Sequence, residues 1–352
     1  MSALLRLPAE WETHSFTQIT WPSLSSDWDY MMDQVERCYV DIVKAITRFE
    51  PLLIVTDNEA RVRSVLGEAL AAKVHFFVCP INDTWARDHG FITLTDSQAD
   101  ATLVDFQFNG WGMKFAADKD NLINQRLFKH CLNANKYQSC LSFVLEGGSI
   151  ESDGNGTILT TTKCLMAENR NWFTSKAEAE ALLKDALHCD RVLWVDNGLL
   201  VGDDTDGHVD TLVRLAPGDT LVYVEPPLAS SDEQYADLLA MQSDVMSLRK
   251  ADGSPFRLVP LPCTPPILDE DDGSRLPATY ANFYFVNGAI LVPTYNVPTD
   301  DVALARLAQA FPDYEVVGVD CRALIRQHGS LHCSTMQFPK CVKNNFLKCQ
   351  EN

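Results

Sequence analysis

Residues 209–261 contain one complete copy of the pattern that decides the fold. Residues 209–224 read VDTLVRLAPGDTLVYV, in which two apolar runs flank the turn Pro217-Gly218-Asp219 and predict a β-hairpin. Residues 232–248 carry apolar side chains every three to four positions, which predicts a helix. The apolar run 256–261 then predicts one further strand. The unit is therefore a hairpin, a helix and a strand, written ββαβ.

The same unit recurs about five times, at intervals of roughly 50–75 residues, without convincing identity between its copies. Further hairpin turns are predicted at Asp153-Gly154-Asn155-Gly156 and at Asn287-Gly288. The other predicted strands are 16–21, 52–56, 74–79, 91–95, 103–108, 142–145, 157–161, 191–195, 282–286, 289–293 and 314–319. The other predicted helices are about 27–47, 59–71, 121–132, 176–187 and 299–310. No linker interrupts the series, so we predict a single α/β domain spanning residues 1–352.

The composition argues against several classes of partner. The chain of 352 residues has a formal net charge of −19, and both nucleic acid and anionic membranes require a basic surface. No apolar stretch reaches the length of a membrane helix, and residues 1–11 do not resemble a secretory signal. The eleven cysteines include no Cys-x-x-Cys pair. We therefore expect a cytoplasmic protein with reduced thiols, and the excess of carboxylates suggests a cationic small molecule as substrate.

Cys333 is the candidate nucleophile. It lies in Gly329-Ser330-Leu331-His332-Cys333-Ser334-Thr335, where small and polar neighbours surround it. A buried structural cysteine is the common alternative, which Cys79, Cys164 and Cys189 fit because each lies in or beside an apolar run. A reactive thiolate needs hydrogen-bond donors or positive charge nearby, and a bound cation can supply that charge.

A second cluster, Gly207-His208-Val209-Asp210, supplies a histidine and a carboxylate. On a strand, His208 and Asp210 would point to the same face, which suits proton transfer and cation binding. A calcium loop starting at Asp204 lacks the required glycine and the final glutamate. A zinc site formed by His208, Asp210 and Cys333 lacks the usual ligand spacing.

Two further clusters supply binding groups. In residues 83–90, Trp85 offers a flat face and Asp88 a bidentate carboxylate for a guanidinium, although Arg87 could instead pair with an acid of this turn. Glu146 ends an apolar strand, where a buried carboxylate requires either a site role or a salt bridge. Five units arranged radially would bring Asp88, Glu146, His208 and Cys333 together.

These motifs, in this order, resemble the agmatine deiminase family, within the superfamily of guanidino-group-modifying enzymes. The resemblance spans nearly the whole chain and rests on residues 8–12 (PAEWE), 20–22 (TWP), 82–88 (NDTWARD), 108–112 (FNGWG) with Lys114, 146–150 (EGGSI), 202–210 (GDDTDGHVD) and His332-Cys333. It implies an α/β fold of the five-bladed α/β propeller type with pseudo-five-fold ββαβ units, in agreement with the count of units above.

The resemblance also implies a role for each candidate catalytic residue. Cys333 would be the nucleophile. His208 and Glu146 would handle protons, and Asp88 and Asp210 would hold the guanidinium. No metal and no organic cofactor are implied.

For the substrate pocket, the resemblance implies that Trp85 and Trp111 line it and that Asp204 fixes the substrate or its distal amine. Met113, Ser334 and Met336 differ from the residues that the family often has at these positions. All three lie outside the catalytic set and bear on preference for the substrate's tail. Whether the chain forms a homo-oligomer is left open.

The implied reaction is hydrolysis of agmatine to N-carbamoylputrescine and ammonia through a covalent amidino-cysteine. The alternatives are a peptidyl-arginine or other guanidine deiminase, an amidinotransferase, and a non-catalytic polyamine- or guanidine-binding protein. An acidic metal-binding protein is disfavoured by ligand spacing. The absence of a recognisable export signal ranks the peptidyl-arginine alternative behind agmatine.

Overall fold

The computed structural model describes residues 5–346, which form an α/β fold with sixteen strands in five small mixed sheets. The first sheet has the order β16-β1-β2-β3, formed by Thr335–Pro339, His14–Thr20, Leu52–Thr56 and Val74–Val78. The others are β4-β5-β6 (Ile92–Thr95, Ala101–Gln107, Lys136–Val144), β7-β8-β9 (Ile150–Ser152, Thr157–Thr161, Arg191–Val195), β10-β11-β12 (Val213–Ala216, Thr220–Val224, Arg257–Leu261) and β13-β14-β15 (Tyr284–Val286, Ala289–Thr294, Glu315–Asp320).

Each sheet contains the predicted arrangement of an antiparallel pair followed by a parallel strand. In the unit quoted first, Thr220 of β11 lies opposite Ala216 of β10 in the antiparallel pair and opposite Arg257 of β12 in the parallel pair. Two parallel neighbours need a crossover, and helices supply it. The predicted ββαβ unit is therefore confirmed at the level of local topology.

The helices that make these crossovers are amphipathic. The helices of residues 5–346 are α1 Met32–Ile46, α2 Glu59–Leu66, α3 Glu68–Ala71, α4 Ala86–His89, α5 Gly110–Met113, α6 Ile123–Leu127, α7 Thr162–Leu165, α8 Lys176–Leu187, α9 Tyr235–Ser247 and α10 Asp300–Ala310. In α1, Val35, Tyr39, Ile42 and Ile46 follow a spacing of three to four residues, and all are fully buried. None of the helices within residues 5–346 has the length and apolar character needed to cross a lipid bilayer.

The first sheet joins the two ends of the chain. Thr17 of β1 pairs with Gln337 of β16 in antiparallel and with Leu52 of β2 in parallel. Neither β16 nor β7 was predicted, because β16 mixes polar and apolar residues with a proline and β7 has three residues. The pairing of β16 with β1 fixes the position of Cys333, which lies two residues before β16.

Several predicted elements are wrong in their bounds. The strand predicted at 209–215 begins instead with a 3-10 turn, Val209–Thr211, before β10. The helix predicted at 59–71 is broken at Gly67, whose φ of 73° no helix accommodates. The helix predicted at 121–132 combines α6 with a π-helical turn, Phe128–Leu132, and the strand predicted at 142–145 begins at Lys136.

The middle strands of the sheets form the core. Leu52–Thr56, Thr157–Thr161 and Thr220–Val224 bury every side chain. Strands buried on both faces read as nearly continuous apolar runs, as Leu52–Thr56 and Thr220–Val224 do, and both were predicted with correct bounds. The loops at the strand ends carry the polar clusters described next.

Candidate active site

A cavity of about 430 Å³ contains five of the predicted site residues. Its lining consists of Asp83, Trp85, Asp88, Trp111, Phe115, Asp204, Thr205, Gln327, His328, Gly329 and Cys333. The other three predicted residues, Glu146, His208 and Asp210, do not line it but are buried and pack behind Asp88 and Cys333. The structure therefore brings all eight predicted residues into one region.

Cys333 is held at the cavity by its backbone. Its amide donates to Asn282 Oδ1 at 3.3 Å, and its carbonyl accepts from the amide of Arg87 at 3.1 Å. Its Sγ lies 3.4 Å from Asn282 Oδ1 and 3.8 Å from Asp210 Oδ2. Burial raises the pKa of the Cys333 thiol well above its ordinary value, and the carboxylates of Asp210 and Asp88 raise it further. Burial and these two carboxylates therefore favour the thiol over the thiolate in the free protein.

Asp88 is fixed by two donors on opposite sides. Its Oδ1 accepts from the amide of Gly148 at 3.0 Å, and its Oδ2 accepts from Trp111 Nε1 at 2.9 Å. Trp111 reaches Asp88 from a kinked turn in which its own φ is 55°. Burial raises the pKa of Asp88, as do the charges of Asp210 and Glu146, while His208 and the bond from Trp111 lower it.

Gly148 lies where three of the predicted side chains meet. A Cβ at this position would lie 2.6 Å from His208 Nδ1, 2.9 Å from Asp88 Oδ1 and 3.0 Å from Asp210 Oδ2. Such distances leave no room for a side chain. The Glu146-Gly147-Gly148 motif therefore contributes a carboxylate and, two residues later, the close backbone approach that packs the site.

His208 carries no hydrogen bond on either ring nitrogen among residues 5–346, although it is fully buried. Its Nδ1 lies 3.6 Å from Asp88 Oδ1. Burial by itself lowers the pKa of His208, but Asp88, Cys164 and Glu146 outweigh burial and raise it well above its ordinary value. These neighbouring charges favour the protonated form of His208, which can donate a proton.

Glu146 and Cys164 both lie beside His208. Ligating atoms of Glu146, Cys164 and His208 all fall within 4.8 Å of one another. The carboxylate of Glu146 accepts two bonds from Arg170 Nε, at 2.9 and 3.1 Å. Arg170 is thus a buried partner that the sequence did not reveal, since nothing in its local motif marks it. Cys164 is buried, as predicted for a structural cysteine, yet it contacts the site.

Asp210 is held by a residue whose role was not predicted. Its Oδ2 accepts from His332 Nδ1 at 2.7 Å, whereas its Oδ1 has no hydrogen-bond partner among residues 5–346. Burial raises the pKa of Asp210, but the bond from His332 and the charge of His208 outweigh it and lower the pKa. Because residues 209–211 form a 3-10 turn, the predicted strand geometry for His208 and Asp210 is wrong, although both side chains reach the site.

Asp204 and Asp83 add two carboxylates to the cavity wall. Burial raises the pKa of Asp204, as does neighbouring Asp203. Burial raises the pKa of Asp83 to about 6. Lys114 Nζ donates to the carbonyl of Asp204 at 2.6 Å and to Asp206 Oδ1 at 2.7 Å, so its ion pair is with Asp206 rather than with the carboxylates of the wall.

Two groups of side chains within residues 5–346 have the spacing of metal ligands. They are Glu146 with Cys164 and His208, and Glu10 with Glu151 and His332. In the first group Arg170 binds the carboxylate, and in the second Arg214 binds both carboxylates. A guanidinium therefore already supplies positive charge at each carboxylate that a cation would use.

Comparisons with known proteins converge on guanidine chemistry. The family model for Porphyromonas-type peptidyl-arginine deiminase matches residues 6–339. Agmatine deiminase of Pseudomonas aeruginosa is 33% identical, covering 95% of each chain. A candidate arginine deiminase from Porphyromonas gingivalis is 48% identical with a TM-score of 0.90, covering 96% of this chain and 99% of that one. A C. jejuni agmatine deiminase variant with substrate bound is 34% identical with a TM-score of 0.88, covering 97% of each chain.

Proposed function

Because the chain belongs to the Porphyromonas-type peptidyl-arginine deiminase family, we propose that it is an agmatine deiminase. It would hydrolyse agmatine to N-carbamoylputrescine and ammonia. Two of the relatives named above are agmatine deiminases by name, and this chain aligns with nearly their full length. The chemistry of the cavity supports the same substrate class.

The observation that carries the proposal is the charge of the cavity that contains Cys333. Three carboxylates, Asp83, Asp88 and Asp204, line it together with aromatic rings, and no lysine or arginine is among its lining residues within 5–346. Agmatine carries two positive charges and no carboxylate, so this wall complements it at both ends. Free arginine would bring an α-carboxylate that finds no cationic side chain there.

The first chemical step forms an amidino-cysteine. Asp88 and Asp210 would hold the planar guanidinium so that its carbon lies within reach of Cys333 Sγ. The positive charge of the substrate offsets the two carboxylates that disfavour the thiolate, so binding itself promotes loss of the thiol proton to solvent. Sulfur then attacks the carbon. His208 gives a proton to the departing nitrogen, the C–N bond breaks and ammonia leaves.

The second step is hydrolysis of that intermediate. Neutral His208 would take a proton from a water molecule that attacks the amidino carbon, and the C–S bond breaks. The leaving sulfur takes the proton of the added hydroxyl, so the products are the ureido compound and the regenerated thiol, and His208 is again protonated. Glu146, held by Arg170, would keep negative charge beside His208 through both steps.

We further propose that the five sheets are the blades of a five-bladed α/β propeller and that residues 1–352 form one cytoplasmic domain. The shared strand order of the sheets supports the propeller, as does the first sheet, which is completed by both ends of the chain. In such a ring, the loops that carry Asp88, Glu146, His208 and Cys333 would face the central axis.

The test compares three substrates with two proteins. Release of ammonia and of the ureido product is measured with agmatine, free arginine and an arginyl peptide, for the wild type and for Cys333→Ala. We expect turnover of agmatine in preference to the others, and its loss in the variant. Preferential turnover of the peptide would show that peptidyl-arginine, rather than agmatine, is the substrate. No turnover with retained agmatine binding would favour a binding protein or a transferase.

A further inference from the structure

We propose that His332 is a positioning residue that holds Asp210 in its guanidinium-binding orientation and is itself anchored by Glu10 and Arg214. The proposal rests on the proposed function, in which Asp210 binds the substrate. It assigns a role to the Pro8–Glu12 motif, which lies far from the cavity in sequence and has no part in the chemistry described above.

The ring of His332 is clamped between two carboxylates. Its Nδ1 lies 2.7 Å from Asp210 Oδ2, and its Nε2 lies 2.6 Å from Glu10 Oε2. A carboxylate oxygen can only accept, so Nδ1 carries the hydrogen that bonds Asp210, while Nε2 faces both Glu10 and, at 3.0 Å, Nη2 of Arg214. The ring is 1% exposed and cannot turn without breaking both bonds. It therefore fixes the orientation of the Asp210 carboxylate.

Glu10 is in turn fixed from several directions. Arg214 Nη2 donates to both of its oxygens at 3.0 Å, and the amide of Phe285 donates to Oε1 at 2.9 Å. Arg214 also donates through Nε to Glu151 at 2.5 Å. Glu151, Arg214 and Phe285 belong to β7, β10 and β13, so three different sheets anchor the carboxylate that holds His332.

The consequence for the site lies in the two oxygens of Asp210. Oδ2 is held by His332, while Oδ1 is buried without a hydrogen-bond partner among residues 5–346. A carboxylate fixed by one oxygen presents the other as a preorganised acceptor for a guanidinium N–H. Asp210 Oδ2 is also 3.8 Å from Cys333 Sγ, so a shift of this carboxylate would misplace the substrate relative to the nucleophile.

A matched pair of substitutions tests this role. His332→Asn keeps an N–H at about the place of Nδ1, facing Asp210, and gives up the bond to Glu10. His332→Gln keeps an N–H at about the place of Nε2, facing Glu10, and gives up the bond to Asp210. Each variant removes the ring and one buried bond to a carboxylate, so a merely structural role would affect the two alike.

We expect His332→Gln to lose roughly 10- to 100-fold in kcat/KM for agmatine, the effect of losing a hydrogen bond to a charged group, with KM raised. His332→Asn should stay within about fivefold of the wild type. Melting temperatures of both variants are compared first. Equal losses of kcat/KM in the two variants at equal melting temperatures would overturn the proposal.

If neither His332 variant folds, the positioning role is tested with Glu10→Gln and its control Glu12→Gln. Glu12 lies two residues away and binds Arg6, at 2.5 and 2.7 Å, outside the buried network. Glu10→Gln should lower kcat/KM roughly tenfold by loosening His332, and Glu12→Gln should leave it unchanged. Identical activity of these two variants would overturn the proposal.

A binding experiment separates failure of this proposal from failure of the proposed function. Binding of guanidinium chloride is measured by calorimetry on the same His332 variants in a Cys333→Ser background. If the wild type does not hydrolyse agmatine, the proposed function fails. Weaker guanidinium binding with His332→Gln than with His332→Asn would still support the positioning role, and equal binding would overturn it.

Discussion

Two clusters of buried charge lie side by side in this protein, and they differ in how completely their polar atoms are paired. In the anchor cluster, formed by Glu10, Glu151, Arg214 and His332, every carboxylate oxygen accepts at least one hydrogen bond. In the catalytic cluster, formed by Asp88, Glu146, His208, Asp210 and Cys333, both ring nitrogens of His208 and one oxygen of Asp210 are buried without a hydrogen bond among residues 5–346.

The difference separates scaffold from site. A buried polar atom without a partner is costly and rare, and it persists where a ligand completes the bonding. The anchor cluster needs nothing further, whereas the catalytic cluster offers two carboxylates to a planar cation and leaves His208 without a bond that would hinder proton transfer. His332 connects the clusters, since it bonds to Asp210 on one side and to Glu10 on the other.

The largest effect is expected from a substitution that disables the catalytic cluster and leaves the anchor cluster intact. Cys333→Ser should lower kcat for agmatine by about 10⁴-fold or more, because the hydroxyl is a far weaker nucleophile than the thiolate. Its melting temperature should match that of the wild type. As a control, Cys189→Ala changes another buried cysteine and should retain turnover. Substantial activity in Cys333→Ser, measured by ammonia release, would contradict the assignment of the nucleophile.

The second prediction breaks the anchor cluster. Arg214→Met leaves two carboxylates buried without their cationic partner, which should lower the free energy of unfolding by about 3–5 kcal/mol. Arg48→Met removes an Arg–Glu pair whose side chains are 50% and 52% exposed, and should cost less than about 1 kcal/mol. Urea unfolding measures both. Equal losses in the two variants would show that the anchor cluster does not stabilise the fold.

The third prediction concerns protonation of the nucleophile. Burial and two nearby carboxylates raise the pKa of Cys333, so its thiolate fraction is small at neutral pH and grows as pH rises. Alkylation of Cys333 by iodoacetamide, followed by mass spectrometry, should therefore accelerate about tenfold per pH unit beyond pH 8.5, the ordinary thiol pKa. A rate that levels off below pH 8 would show that the thiolate is already formed in the free protein.

The smallest effect is expected at Trp111, which tests whether the catalytic cluster includes the hydrogen-bond donor of Asp88. Trp111→Phe removes the Nε1 bond to Asp88 but keeps the aromatic wall, and should lower kcat/KM for agmatine about tenfold. Trp194→Phe removes a similar bond, from Nε1 to Glu180 at 2.9 Å, on α8. Steady-state kinetics should show the control unchanged. A loss of the same size in the control would assign the effect to folding rather than to Asp88.

The ββαβ unit was predictable because its signals are local. The turn Pro217-Gly218-Asp219 and the buried run Thr220–Val224 specify a hairpin without reference to the rest of the chain. Strand β16 and the 3-10 turn at Val209–Thr211 were not predictable in this way. Both depend on pairing with distant residues, which overrides local preference.

The residues of the candidate site divide in the same way, into those marked by a local motif and those whose role depends on distant residues. Cys333, His208 and Asp88 stand in distinctive polar motifs, and the structure brings them together. Arg170, which bonds Glu146, and Asn282, which contacts Cys333, have no such motif, since each acquires its role only when the chain folds and its side chain meets a buried group. His332 was visible beside Cys333, but its bond to Glu10 joins residues 322 positions apart.

The most direct test of the account is mass spectrometry of the protein quenched in acid during turnover of agmatine. We expect a substrate-derived amidino adduct on the peptide that contains Cys333, present during turnover and gone once agmatine is exhausted. Formation of N-carbamoylputrescine by a Cys333→Ala variant at the wild-type rate, or an adduct on a different residue, would contradict the account.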